Sequence, residues 1–284
     1  MNGTNKKKNT RKKVEKQVKI SVLEALTKME YKLPRGIPKE IRELLIRIFS
    51  YAYEVLKDKL IGIYLHGSLA TSSFQLGSSD IDLMFIVKQK LSFEEKSEII
   101  NQFNKFRSEG KPIDMSIFLE DVIQNPQYPI LVELHYDYPD NIFQDEQDRE
   151  VVAHLYETKE IGFCVWGKPI REVFSRIPAR HYLLSIFSDV KHTRRYLLES
   201  PIYWVLNACR TMAFIRRGEV LSKVEGGKWA LKRLPRKYRN LINQAMLCYL
   251  RKVNKEQVSW DGEELEEFAD YVTDEIRNTV ADLL

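Results

Sequence analysis

The chain has 284 residues, 44% hydrophobic and 30% charged, enough to bury one large core or two modest ones. Its net charge of +5 is unevenly placed: residues 1–19 hold eight Lys/Arg against Glu15, a net +7, so the remainder carries −2. This disfavours nucleic acid as a partner of the body and reads 1–19 as a disordered basic tail. No run approaches the roughly eighteen apolar residues of a membrane span, and no apolar signal core follows the basic N-terminus, so a cytoplasmic protein is expected. Cys164, Cys209 and Cys248 are widely spaced, show no metal-ligand pattern and read as reduced structural thiols.

Ile41, Leu44, Leu45, Ile48, Ala52, Val55 and Leu56 recur at the spacing of one helical face, with Pro38 near the start, and predict a helix over 37–59. An apolar strand over 61–65 follows, then Gly67 and Ser68, then Asp80 and Asp82 at the head of the apolar run 83–87. Ser92 and Glu95 form a capping box for a helix to about Arg107, closed by Gly110. A strand over 113–119, a helix over 129–136, an acidic stretch, a helix over 150–158 and a strand over 163–166 complete an α/β unit. From Pro178 the pattern changes to helical candidates at 182–198, 203–216, 229–231, 238–250 and 265–284, joined by short Pro- or Gly-marked turns. The expected architecture is an α/β domain, a mixed sheet with flanking helices over 20–177, followed by an all-α helical bundle domain over 178–284.

The chemistry concentrates in residues 64–85. Gly67 lets a phosphate approach closely, and Ser68 adds a hydroxyl where the next short helix begins. Asp80 and Asp82, at i and i+2, leave the same face of a strand and form a candidate Mg²⁺ pair. Transfer of a nucleotidyl group calls for a third carboxylate, as proton acceptor or metal ligand. Asp114, at the head of the next strand, is the candidate. A Gly-Ser followed about a dozen residues later by Asp-x-Asp resembles the nucleotidyltransferase superfamily signature.

A closer resemblance runs from about Leu60 to the C-terminus. The order Leu65-His-Gly-Ser68, Ser79-Asp-Ile-Asp-Leu83, Pro112-Ile-Asp-Met-Ser-Ile117, Val132-Glu-Leu-His-Tyr136, Val165 to Phe174, Tyr203 to Arg210 and Gly218 to Leu231 is similar to the streptomycin/spectinomycin adenylyltransferases. That family joins a nucleotidyltransferase domain to a helical domain and passes AMP from ATP to an antibiotic hydroxyl. The resemblance implies that Ser68 and Ser79 contact the triphosphate, that Asp80 and Asp82 bind Mg²⁺, and that Arg210 and Lys223 neutralise phosphate from the second domain. It also implies that Tyr249 lies against the adenine and Glu150 near the nucleotide. Phosphate favours fixed cations, and a base favours an aromatic face, which supports these roles separately.

The chain departs from the family where the family has a glutamate base and this sequence has Asp114. The family's substrate-side tryptophan falls near Tyr138 and Pro139, and its acidic residue before the second-domain helix falls at Ser200, beside Glu199. The stretch 199–203 is nearer the spectinomycin-specific branch. Between Glu133 and Glu150 stand Asp137, Asp140, Asp145, Glu146 and Asp148 with only Arg149 positive, a composition that attracts an amine-bearing substrate if it lines the cleft. Glu133, Tyr138, Glu199 and Ser200 are therefore the substrate-side candidates. The reading is a Mg²⁺- and ATP-dependent adenylyltransferase of a cationic antibiotic, expected as a monomer. The alternatives are the same chemistry on a protein or nucleic-acid hydroxyl, or a non-catalytic nucleotide-binding module.

Overall fold

A computed structural model of the chain describes residues 32–77, 79–137 and 141–281. The basic tail, Tyr138 and the last three positions lie outside the described residues. Helix α1 (Lys39–Leu56) buries Ile41, Leu44, Leu45, Ile48, Phe49, Ala52 and Leu56 along one stripe, as its spacing predicts. Strand β1 (Leu60–Leu65) is buried at all six positions, because helices cover both faces of the sheet it joins. Strand β2 (Ile81–Val87), helix α2 (Gly67–Ala70) before it, and helix α3 (Phe93–Arg107) after it follow the predicted order, and α3 opens on the Ser92–Glu95 capping box.

Strand β3 (Ile113–Leu119) pairs parallel with β2, while every other pairing is antiparallel. A short helix α4 (Glu120–Gln124) leads on to strands β4 (Ile130–Asp137) and β5 (Asn141–Asp148). Helix α5 (Val151–Ile161), strand β6 (Phe163–Gly167) and helix α6 (Ile170–Val173) complete the region, and the sheet runs β5-β4-β3-β2-β1-β6. Leu83, Phe85, Val87, Met115 and Ile117 point to α1 and α3. The alternate residues Met84, Ile86 and Phe118 point to α5.

Residues 130–137 are a strand, which corrects the helix predicted over 129–136. A helix of about two turns is marginal on its own, whereas β4 gains partners along β3, with Leu134 opposite Ile117 and Tyr136 opposite Met115. The acidic stretch becomes β5, paired along β4 at the sheet edge. Charged side chains on such an edge oppose pairing with another chain.

The helical region comprises α7 (Ala179–Thr193), α8 (Pro201–Arg217), α9 (Lys223–Arg233), α10 (Arg239–Tyr249) and α11 (Gly262–Ala281). Helix α8 is central, with Trp204, Val205, Leu206, Ala208, Cys209, Met212 and Ala213 all buried. The sequence places only 229–231 in a helix, but α9 begins six residues earlier on a second capping box, Ser222 with Glu225. Helix α5 joins the two regions: Val151, Val152 and Leu155 belong to the sheet core, while Tyr156 stacks on Tyr182 of α7 with ring centroids 4.4 Å apart. Among the described residues no helix is long and apolar enough to cross a membrane.

Gly226 lets α9 lie directly on α8, since a Cβ there would be 2.9 Å from the Arg210 Cα and backbone nitrogen. Backbone cannot rotate aside as a side chain can. Gly226→Ala is therefore expected to destabilise the protein by about 1 to 3 kcal/mol, as overpacking does. Denaturant unfolding of the variant beside wild type checks the loss.

Candidate active site

Three neighbouring strands set out a row of carboxylates. Asp82 and Asp114 are direct register partners on parallel β2 and β3. Met115 lies opposite Tyr136, so Asp137 comes one step on, beside Asp114, at the end of β4. With strands about 4.8 Å apart, the row Asp82, Asp114, Asp137 spans roughly 10 Å. At the Asp82 end the chain leaving β1 turns through Gly67 at φ +56°, where a Cβ would run into Asp82 Oδ2. The missing side chain leaves room for that carboxylate. Ser68 Oγ and His66 Nε2 are buried beside it without a hydrogen-bond partner in the protein.

The facing wall comes from α5 and the helical region. His154 and Glu157 of α5, Asp189 of α7, Tyr203 and Arg210 of α8, Lys223 of α9 and Tyr249 of α10 enclose, with the carboxylate row, a cavity of about 450 Å³. Arg210 Nη1 is 3.1 Å from Glu157 Oε1, and the Tyr182 hydroxyl donates to the same oxygen at 3.4 Å. Lys223 Nζ lies 4.7 Å from the Tyr203 ring centre and 5.8 Å from that of Tyr249. Ser79 Oγ and the Tyr249 hydroxyl are 3.1 Å apart and tie the two walls together. Tyr203, Lys223 and Tyr249 also line a second, adjoining cavity of about 570 Å³.

Burial pushes the Asp82 carboxyl well up, and Asp114 and Asp80 add to it. Burial does the same to Asp114, reinforced by Asp137 and Asp80. On the facing wall burial and then Arg210 lower the Lys223 ammonium, while burial opposes the Arg210 charge but Glu157 and its neighbours hold it protonated. Burial lowers His66 and takes His135 down to about 3, so both imidazoles are neutral near pH 7. The carboxylate row therefore lacks a cation, while the facing wall sets Arg210 and Lys223 beside Glu157 and Asp189. A metal-bound polyphosphate would bring a cation to the first and negative oxygens to the second.

Residues 50–177 match the family described as nucleotidyltransferase domain, and residues 172–275 match the aminoglycoside adenylyltransferase C-terminal domain. Together these two domains mark the chain as an aminoglycoside adenylyltransferase. A spectinomycin 9-adenylyltransferase of Campylobacter jejuni is 25% identical over 246 residues, covering 78% of this chain and 90% of that one. An aminoglycoside (3'') (9) adenylyltransferase of Escherichia coli is 25% identical over 261 residues, covering 85% and 97%. The same fold occurs in the spectinomycin adenyltransferase of Enterococcus faecialis, solved with ATP and spectinomycin, at TM-score 0.71 and 20% identity, covering 83% of this chain and 98% of that one.

In this adenylyltransferase the cavity brings together Gly67, Ser68, Ser79, Asp80, Asp82, Asp114, Glu150, Arg210, Lys223 and Tyr249. Glu199 and Ser200 stand apart from Asp114, on the adjoining cavity. Glu133 reaches neither, contrary to the expectation of a substrate contact: it is buried, accepts from the Leu91 N–H at 2.7 Å and pairs with Lys96 at 3.1 Å. Lys96 also holds Asp145 at 2.7 Å, so this carboxylate braces α3 against the sheet edge. Sequence reasoning missed His66, His154, Glu157 and Asp189. Only His66, inside the Gly-Ser signature, carried a local signal.

Burial raises the Asp137 carboxyl to about 6 from 3.8. A carboxyl raised on folding adds stability below its unfolded value and loses it as pH rises through the folded value. Asp137→Asn is therefore expected to raise the thermal midpoint of the ligand-free protein at about pH 7.5, by the equivalent of about 1 to 3 kcal/mol, and to have little effect near about pH 3, below the unfolded value. Melting curves of both proteins across that window check the sign.

Proposed function

We propose that this adenylyltransferase transfers AMP from ATP, with Mg²⁺, to a hydroxyl of an aminocyclitol or aminoglycoside antibiotic of the spectinomycin or streptomycin type, and so confers resistance. The observation that carries this reading is the meeting, across one cavity, of Asp82 and Asp114 on the sheet with Arg210 and Lys223 on the helices. The donor set fits Mg²⁺: Asp80 and Asp82 are hard oxygen ligands at i and i+2, and the room beside Gly67 and the unpartnered Ser68 hydroxyl suit a phosphate approaching them. Among the described residues no three such side chains could hold a metal by themselves. A site completed by triphosphate oxygens needs only the pair. Bound there, Mg²⁺ would offset the negative charge of the triphosphate.

Asp114, one strand from Asp82, accepts the proton of the acceptor hydroxyl as its oxygen attacks the α-phosphorus and pyrophosphate leaves on the opposite side. Arg210 and Lys223 stabilise the charge that moves onto the leaving group. Tyr249 offers its ring to the adenine, and residues 20–177 and 178–284 act as the two jaws of the site, in a cytoplasmic enzyme where ATP is supplied. Incubation with ATP, MgCl₂ and either spectinomycin or streptomycin tests the reading. Mass spectrometry should find one antibiotic carrying one AMP, with pyrophosphate released and the reaction stopped by EDTA. Intact antibiotics and no pyrophosphate would overturn it.

A further inference from the structure

The carboxylates lining the cavity have different occupations. Asp80 and Asp82 form the metal pair. Glu157 is bound by Arg210, and Asp148 caps α5 by accepting from the Glu150 and Val151 N–H groups at 2.8 and 2.7 Å. Asp189 faces the charges of Arg210 and Lys223, and Ser188 Oγ donates to Glu150 Oε1 at 3.5 Å. Asp137 differs. It lines the same cavity, half-buried at the end of β4, and no described residue forms a hydrogen bond or ion pair with its side chain. A carboxylate removed from water without a hydrogen-bond partner is unfavourable, even with His154 near enough to favour its charge.

Order along the row gives this carboxylate a direction. The donor phosphate is held at the Asp82 end and the proton acceptor stands in the middle, so the acceptor molecule approaches from the Asp137 side. A cation there would neutralise Asp137 while standing one strand from Asp114, where the reacting hydroxyl must come. We propose that Asp137 binds an ammonium group of the acceptor that lies beside the reacting hydroxyl, and thereby selects amino-alcohol acceptors and sets their position over Asp114. The spacing of one strand, about 4.8 Å, between Asp137 and Asp114 places that amine on a carbon adjacent to, or one removed from, the carbon bearing the hydroxyl. This inference rests on the aminocyclitol reading above and adds the group that recognises the amine.

Full-length enzyme, with spectinomycin and its N-acetylated derivative as acceptors, tests it by steady-state kinetics. Loss of a charge-assisted contact should raise the spectinomycin KM of Asp137→Asn and Asp137→Ala by about 10- to 100-fold, with the KM for ATP within about twofold of wild type. In wild type, acetylation should weaken the acceptor by a similar factor. In the variants, acetylation should make little further difference, because the partner of the amine is already gone. A structural role would not produce that loss of discrimination. An unchanged spectinomycin KM in either variant, or an acetylation penalty equal in variant and wild type, would overturn the assignment of Asp137. Failure of wild type to adenylate spectinomycin or streptomycin would instead overturn the proposed acceptor class. Thermal melts with methylammonium chloride give a readout independent of turnover. The salt should raise the wild-type midpoint more than that of Asp137→Asn, relative to sodium chloride at equal ionic strength, and equal shifts would count against the inference.

Discussion

Asp82→Asn is expected to reduce kcat/KM by about 10³-fold or more and, in the same protein, to raise the thermal midpoint without ligand. The two effects share one cause. Asp82 is enclosed beside Gly67, and its charge is opposed by burial, Asp114 and Asp80. It is unfavourable in the protein alone, and under the proposed function a metal-bound phosphate would offset it, so the neutral isostere should relieve the fold and remove a metal ligand together. Asp114→Asn should show the same pairing, with a kcat loss of about 10²- to 10⁴-fold for removal of a proton acceptor. Kinetics and melting curves on the same preparations check both. Full activity in Asp82→Asn would remove the metal pair from the mechanism, and a lower melting point would mean that the carboxylate holds the fold together.

The second large effect concerns the facing wall. Arg210→Ala leaves Glu157, whose side chain is 5% exposed, without its cation, and breaking a buried pair of this kind costs about 3 to 5 kcal/mol. Under the proposed function the same variant would also lose a phosphate contact and should bind ATP about 10- to 100-fold more weakly. Lys223→Ala should show a comparable loss of ATP binding with little loss of stability, since burial and Arg210 already disfavour its charge. The double variant Arg210→Ala with Glu157→Gln separates the two roles of Arg210. It should recover most of the stability and none of the nucleotide affinity, measured by chemical denaturation and by calorimetric titration with ATP and MgCl₂. Equal ATP affinity in wild type and both single variants would leave the helical region with no part in nucleotide binding.

Much of this molecule is legible in patterns that need only a few neighbouring residues. The apolar stripe of α1 and the two-residue spacing of Asp80 and Asp82 depend on contacts within one or two turns of chain. The Ser92–Glu95 capping box is equally local. The same holds for the change from strands to amphipathic helices near Pro178, after which α7 begins at Ala179. The sequence read the 129–136 segment as helical because its apolar residues fit either period, and only the hydrogen-bonding edge of β3 decides in favour of a strand.

That one decision changes the site. As a strand, β4 carries Asp137 into line with Asp114 and turns Glu133 to Lys96 on the other side, so a carboxylate chosen from composition leaves the cleft and a neighbour takes its place. Arg210, Lys223 and Glu157 likewise meet only because Gly226 lets α9 settle on α8 and because α5 packs on both cores. The sequence by itself determined which residue types can hold a metal-bound phosphate and on which kinds of element they sit, since propensity, capping and periodicity act over three or four residues. Which carboxylates share the cleft, and which cations face them, depended on strand register and helix contact between residues far apart in the chain. That choice belongs to the tertiary structure, because the energy of a buried charge is set by whatever the whole fold packs around it.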